Sequence, residues 1–305
     1  MNEEERMRRV LTWIGFGLGA LALVLGVVIA GLYLSADRRL KRTYAIEVEA
    51  VPIPQDSESL ARGEHRVQVL CMGCHRPDLG GGVFLDDPAI GTVYAANLTS
   101  GWGGIGGDYS AEDWVRTLRH GVKPDGRSVF IMPSNDFYYL IDQDLGEMIA
   151  FLTSVPAVDR ETGPPAITPM AKVLYSLGAF GEALYAETID HDSRPPAHEQ
   201  GVKVAHGEYL VNISGCRTCH GEALTGGQGP DPEMPAGPNL SPGGELRAWT
   251  EADFFRVMRS GETPTGRQLD PEYMPWQSFT KMSDEELSAV WLYLQSLPVL
   301  DTSVE

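Results

Sequence analysis

The longest apolar stretch of the chain covers residues 10–34, twenty-five positions without a charged side chain. At about 1.5 Å per residue it measures ~37 Å as a helix, enough to cross a ~30 Å hydrocarbon core with some tilt. Gly15, Gly17, Gly19, Gly26 and Gly31 would weaken a soluble helix but suit a membrane span. The stretch exceeds the roughly 7 to 15 apolar residues of a secretory signal, and no small-x-small cleavage site follows it, so an uncleaved anchor is expected. Residues 1–9 then form a tail. Pro52 and Pro54 mark residues 35–56 as an extended tether.

Helical periodicity begins near Ser57, which can cap a helix carrying Leu60, Val67 and Leu70. Gly-rich and Pro-rich stretches at 80–82, 101–107 and 226–244 read as loops rather than strands. Two short helices follow, at 110–120 and 250–260. Each opens on Ser or Thr with acidic residues and stops at Gly121 or Gly261. Two longer helices, 142–155 and 283–297, place apolar residues at helical spacing, Leu145, Ile149 and Leu152 answering Leu287, Trp291 and Leu294, and are ended by Pro156 and Pro298. Ser283 with Glu286 has the form of a capping box.

These landmarks repeat in unbroken order. Asn97 and Leu98 answer Asn239 and Leu240, Gly126 and Arg127 answer Gly266 and Arg267, and Met132 and Pro133 answer Met274 and Pro275. The expected fold is all-α: two tandem domains, 57–156 and 201–305, behind the N-terminal transmembrane helix. A Pro-rich linker at 157–200 joins them. Within it an amphipathic helix at 170–184 is expected to pack between the domains, since it is too short to span and carries Lys172 and Glu182.

The chemistry sits at the start of each half. Cys71, Met72, Gly73, Cys74, His75 and Cys216, Arg217, Thr218, Cys219, His220 are two Cys-x-x-Cys-His runs that use every cysteine in the chain. Such a run lets two thiols bond to the vinyl groups of a haem while the imidazole reaches the iron. Two covalent haem c groups are expected, with Cys71, Cys74, Cys216 and Cys219 as anchors and His75 and His220 as proximal ligands. A zinc reading fails on placement, because the repeat leaves each pair in its own domain, short of a fourth ligand.

Met132 and Met274 are the expected distal ligands. Each precedes Pro and follows its proximal His by a similar interval, 57 and 54 residues. Met148, Met258 and Met282 fall at helical core positions, and Met234, which also precedes Pro, has no counterpart in the first half. His120 pairs in the repeat with Ser260, which argues against His–His ligation, while His65 and His206 read as packing or surface residues. A strong sixth ligand makes an electron carrier, and an open position makes a catalyst or gas binder.

Charge adds direction. The net charge is -18. The first 42 residues hold seven Lys or Arg and four Asp or Glu, which leaves -18 minus 3, or -21, for the rest. Such a body repels nucleic acid and suits partners with basic docking faces. Hydrophobic residues at 43% and charged residues at 22% are globular proportions. Arg6, Arg8 and Arg9 before the span are outnumbered by Arg38, Arg39, Lys41 and Arg42 after it, so the positive-inside rule favours the reverse orientation. The haem motifs overrule it, since c-type attachment in bacteria is made outside the cytoplasm. The N-terminus is expected in the cytoplasm and the body on the periplasmic face of the inner membrane.

The two halves resemble the cytochrome c domains of membrane-bound alcohol and gluconate dehydrogenase cytochrome subunits. The first half carries the resemblance most closely, at Gly91, Thr92, Val93, Tyr94, Asn97 and Leu98, at Gly104, Ile105, Gly106, at Arg119, His120, Gly121, Val122, at Asp125, Gly126, and at Met132, Pro133. The resemblance implies the all-α cytochrome c fold, covalent haem c and service as an electron relay. Those subunits typically hold three haem domains and a C-terminal anchor, whereas an N-terminal anchor before two cytochrome domains is similar to the dihaem subunit of certain haem-copper oxidases. The expected function is a membrane-anchored dihaem cytochrome that is not itself an enzyme. It would relay single electrons between a respiratory or photosynthetic complex and another redox carrier. A dehydrogenase cytochrome subunit and a dihaem peroxidase are the alternatives; a redox sensor would need an output domain.

Overall fold

The computed structural model describes residues 2–179, 181–229 and 234–302. Helix α1 runs over Glu3–Lys41, well past both ends of the apolar stretch. The tail and the first part of the tether are therefore helical. Glu3, Glu4 and Glu5 lie in its first turn and Arg38, Arg39 and Lys41 in its last, each sign where the helix dipole favours it. Lys41 pairs with Asp37 one turn back at 2.6 Å, and no Pro or Gly lies between Gly31 and Pro52.

Helix α2, Ser57–Leu70, is capped by Asp56 rather than Ser57, the Asp56 side chain accepting from Ser59 N at 2.9 Å. The four-residue helix α3, Met72–His75, follows at once. Strands β1, Gly82–Asp87, and β2, Gly91–Ala95, then form an antiparallel hairpin, a departure from the all-loop, all-α expectation for this stretch. The Asp87 carboxylate closes its turn by accepting from Ala89 N and Ile90 N at 2.7 and 2.9 Å. Apolar side chains in Val83–Leu85 and Val93–Tyr94 supply a surface that suits pairing.

Helix α4, Ala111–His120, has a full capping box between Ser110 and Asp113 and ends at Gly121 in the left-handed region. Short α5, Ser134–Phe137, and α6, Asp142–Ser154, complete the first half. An added Cβ at Gly63 of α2 would collide with the Glu147 carbonyl of α6, so that crossing needs glycine.

Residues after 156 turn back on the first half. Strand β3, Ala166–Ile167, extends the hairpin to three strands, and Arg160 N bonds Trp102 O at 3.0 Å. Helix α7, Pro169–Ser176, is half the length expected for 170–184, because Gly178 at φ 82 ends it. It packs on α1 rather than between the halves.

The second half repeats the order: α8, Val204–Ile213; α9, Cys216–His220; strands β4, Thr225–Gly227, and β5, Gly237–Asn239; α10, Glu251–Ser260; α11, Trp276–Phe279; α12, Asp284–Ser296. The repetition reaches single hydrogen bonds. Thr250 and Asp253 form the α10 capping box, Gly261 is its left-handed stop, and the predicted Ser283–Glu286 box is present. Gly207 of α8 lies against the Ala289 carbonyl as Gly63 lies against Glu147. One core joins the halves, from Trp114, Leu145 and Ile149 to Leu210, Leu287 and Leu294.

Candidate functional site

Helix α2 delivers Cys71 directly, its N–H bonding Val67 O at 2.9 Å, and His75 N closes the next turn on Cys71 O at 2.9 Å. In the second half α8 stops first, and Gly215 at φ 68 makes the break that lets α9 start. All four cysteines are free. Burial pushes the Cys71 and Cys216 thiols up to about 12, so both stay protonated, available for thioether formation and poor as thiolate ligands to a metal. Among the described residues no group of three or more His, Cys, Asp or Glu side chains is arranged to hold a metal ion.

His75 and His220 are held identically. His75 Nδ1 lies 2.8 Å from Ala96 O, and His220 Nδ1 lies 2.8 Å from Pro238 O. A carbonyl partner requires the proton on Nδ1, which leaves Nε2 with its lone pair free for iron. Burial lowers the pKa of both rings, opposed by these carbonyl bonds, so each stays neutral as ligation demands.

The residues that aim those carbonyls are Asn97 and Asn239, repeat landmarks to which no role could be given from spacing. Each follows the accepting residue and braces the chain on both sides. Asn97 Oδ1 accepts from Thr99 N at 3.0 Å while its Nδ2 donates to Val158 O at 2.7 Å; Asn239 Oδ1 accepts from Ser241 N at 2.8 Å while its Nδ2 donates to Leu300 O at 2.9 Å. Leu98 N bonds Leu79 O and Leu240 N bonds Leu224 O, both at 2.8 Å. Leu79 and Leu224 are buried at φ 55 and 57, an uncommon backbone for leucine that both copies adopt at the same place.

Met132 and Met274 also occupy one local geometry. Ser134 N bonds Met132 O at 2.8 Å and Trp276 N bonds Met274 O at 2.7 Å, each across a proline at φ -78, ψ 61 or φ -76, ψ 52. These are inverse γ-turns, which turn the chain sharply after the methionine. Both side chains are partly buried against the main core.

The other imidazoles are paired elsewhere, and the other candidate methionines lack the matched turn. Met148, Met258 and Met282 are core residues. The Met234 carbonyl accepts from Gln228 in a loop whose residues 230–233 lie outside the description. Buried His120 has both ring nitrogens engaged, Nε2 at 3.1 Å from Glu49 and Nδ1 at 3.0 Å from His191. His65 pairs with Glu286 at 2.8 Å, and His206 is buried against His198 at 3.0 Å.

Each Cys-x-x-Cys-His turn faces the other half. A Cβ on Gly73 would lie 3.2 Å from Ser278 Oγ of α11, and one on Gly215 would lie 2.7 Å from Asp136 Oδ2 of α5. The short helix after each Met-Pro turn therefore abuts the opposite motif. A cleft of about 380 Å³ beside Thr218 runs past Asn135 and Tyr185 to Gly178 and Gly181. Free thiols, neutral imidazoles with open Nε2 and thioethers in matched turns fit haem c.

Comparison with known proteins agrees. Residues 202–294 match the family described as cytochrome C oxidase, cbb3-type, subunit III. The chain is 29% identical over 278 residues to the alcohol dehydrogenase (quinone) cytochrome c subunit of Gluconobacter oxydans, covering 80% of this chain and 56% of that one. It is 27% identical over 275 residues to the fructose dehydrogenase cytochrome subunit of Gluconobacter japonicus, covering 82% and 55%. A diheme cytochrome c-type protein of Cereibacter sphaeroides is 27% identical across 97% of this chain and 100% of its own length. The chain thus spans about half the length of the dehydrogenase subunits it matches. It resembles the cytochrome subunits of these dehydrogenases, and its relatives are electron-transfer components with haem c chemistry rather than catalysts.

Proposed function

We propose that the chain, an electron-transfer protein of the cytochrome c kind, carries two haem c groups in two tandem domains and relays single electrons across a membrane surface. One partner would be a respiratory or photosynthetic complex and the other a second redox carrier. Cys71 and Cys74, with His75 and Met132, would hold the first haem; Cys216 and Cys219, with His220 and Met274, would hold the second. Haem supplies a reversible one-electron change at iron. The protein fixes the neutral tautomer of each histidine through Ala96 O or Pro238 O, and a methionine thioether as the second ligand would raise the reduction potential. The observation that carries this reading is the identical pairing of an Nδ1-to-carbonyl bond with a Met-Pro γ-turn in both halves. Helix α1 anchors the protein in the inner membrane with its N-terminus in the cytoplasm and the haem domains on the periplasmic face.

A pyridine haemochrome assay on the purified full chain is expected to give two haems per polypeptide, and a redox titration two one-electron waves. The ferrous protein is expected not to bind carbon monoxide. Binding at one haem would favour the peroxidase reading for that domain. The relatives named as dehydrogenase cytochrome subunits favour a second reading, in which the donor is a substrate-oxidising subunit. Purification in mild detergent separates the two by what stays bound.

Contact between the halves gives the second haem a proton-sensitive neighbour. Burial raises the Asp136 carboxyl to about 7, and its charge reaches Cys216 and Cys219. Above that pH the carboxylate favours the oxidised, more positive iron; below it the neutral acid does not. The second potential is therefore expected to fall as pH rises through 7, and Asp136→Asn to flatten that dependence at the higher value. Spectroelectrochemical titration from pH 5 to 9 measures it, and an equal slope in the variant would remove Asp136 from the role.

A further inference from the structure

Where α1 leaves the apolar stretch it meets α7 running the other way. Ser176 Oγ donates to Leu32 O at 2.8 Å, while Lys172, one turn earlier in α7, reaches Asp37 at 2.7 Å and lies 4.9 Å from the Tyr33 ring. The C-terminal turn of α7 is thus level with a residue inside the 10–34 stretch. That stretch, ~37 Å long, exceeds a ~30 Å hydrocarbon core by only a few residues, so Leu32 falls at the core boundary.

The turn is built for such a place. Gly178 N bonds Tyr175 O and Ala179 N bonds Leu174 O, both at 3.0 Å, with Gly178 at φ 82. This double closure satisfies the Leu174 and Tyr175 carbonyls near the helix end, which favours a low-dielectric boundary. Leu177, at its tip, is an apolar side chain 63% exposed. Above it the contact is rigid: Ala36 is fully buried with Tyr175, Ala183 and Leu184, and Arg39 pairs with Glu187 at 2.6 Å. Ile131 N, beside Met132, bonds Ala183 O at 2.8 Å, so this clamp also holds the first Met-Pro turn.

We infer that the C-terminal turn of α7, with Leu177 at its tip, is a second membrane contact that seats in the lipid headgroup layer beside α1 and fixes the body on the bilayer. The inference rests on α1 spanning the membrane. Its occupant is the lipid surface itself, because the turn is continuous with the span through the Ser176 bond to Leu32. A free hinge would let the body swing away; two contacts hold the Met132 turn at one height above the lipid.

Nitroxide spin labels attached at Leu177→Cys, Leu25→Cys and Glu285→Cys of the full haem-loaded chain in liposomes test this. The native cysteines are bound to haem, and the unaltered chain serves as the labelling blank. Power saturation compares collisions with oxygen and with a water-soluble nickel chelate. At 177 oxygen is expected to dominate, at a depth shallower than at 25, with the nickel chelate dominating at 285. A water-like 177 beside a lipid-like 25 overturns the second contact and leaves the span standing. A water-like 25 overturns the span.

Discussion

Met274→Ala is expected to lower the midpoint potential of the second haem by a tenth or more of the roughly 0.8 V that axial ligands command, and to open its iron to carbon monoxide or imidazole. Covalent attachment should persist, since Cys216 and Cys219 are untouched and His220 keeps its bond to Pro238 O. The methionine sits where the second half reproduces the Met132 turn, backbone angles included. Its side chain is partly buried against the same core as Met132, so truncation removes a ligand together with modest packing. Met132→Ala should do the same to the first haem and leave the second unchanged. The control is Met234→Ala, expected to alter neither potential. Should Met274→Ala leave the potential and the sulfur–iron charge-transfer band intact while Met234→Ala abolishes them, the ligand role passes to Met234.

How much of this was legible beforehand follows from where each signal lies. The motifs, the Met-Pro pairs and the Gly stops of α4 and α10 are side-chain signatures, and repetition makes each visible twice. The partners of His75 and His220 are backbone carbonyls, which have no residue signature; only the repeated Asn that follows each could have pointed to them. The β1–β2 hairpin hides in a Gly-rich stretch because its strands are five and six residues long and Gly82 and Gly91 belong to them. Helix α1 outruns its apolar stretch because falling hydropathy does not itself end a helix; it stops at Lys41, where Arg42 turns extended. The docking of α7 on α1 depends on Asp37 and Lys172, 135 residues apart, a pairing that periodicity cannot reveal.

The same limit applies to the joint between the halves, where the largest stability effect is expected. Arg66, on α2, is buried between Asp144 of α6 at 3.1 Å and Glu286 of α12 at 2.9 Å. His65 adds a second bond to Glu286 at 2.8 Å, and Tyr209 OH donates to Asp144 at 2.6 Å. Asp144 and Glu286 side chains are only 3% and 10% exposed. Arg66→Met keeps the stem and removes the charge, leaving two buried carboxylates to face each other across the joint. Breaking a buried pair in this way costs about 3–5 kcal/mol, far more than an exposed pair.

pH distinguishes lost charge from lost packing. Burial alone would raise Glu286, but His65 and Arg66 hold it down to about 2. In the native protein its contribution is therefore complete above the ordinary carboxylate pKa and fades as pH falls toward 2. Without Arg66 the Glu286 pKa rises, and protonation then relieves the stranded charge. Denaturant melts followed by far-ultraviolet circular dichroism should show the gap between Arg66→Met and native protein widest at pH 7 and narrower at pH 4. Adding Glu286→Gln, which retains a capping side chain for α12, should recover part of the loss at pH 7. A gap that does not change with pH and is not reduced by Glu286→Gln would mean that Arg66 acts through packing alone.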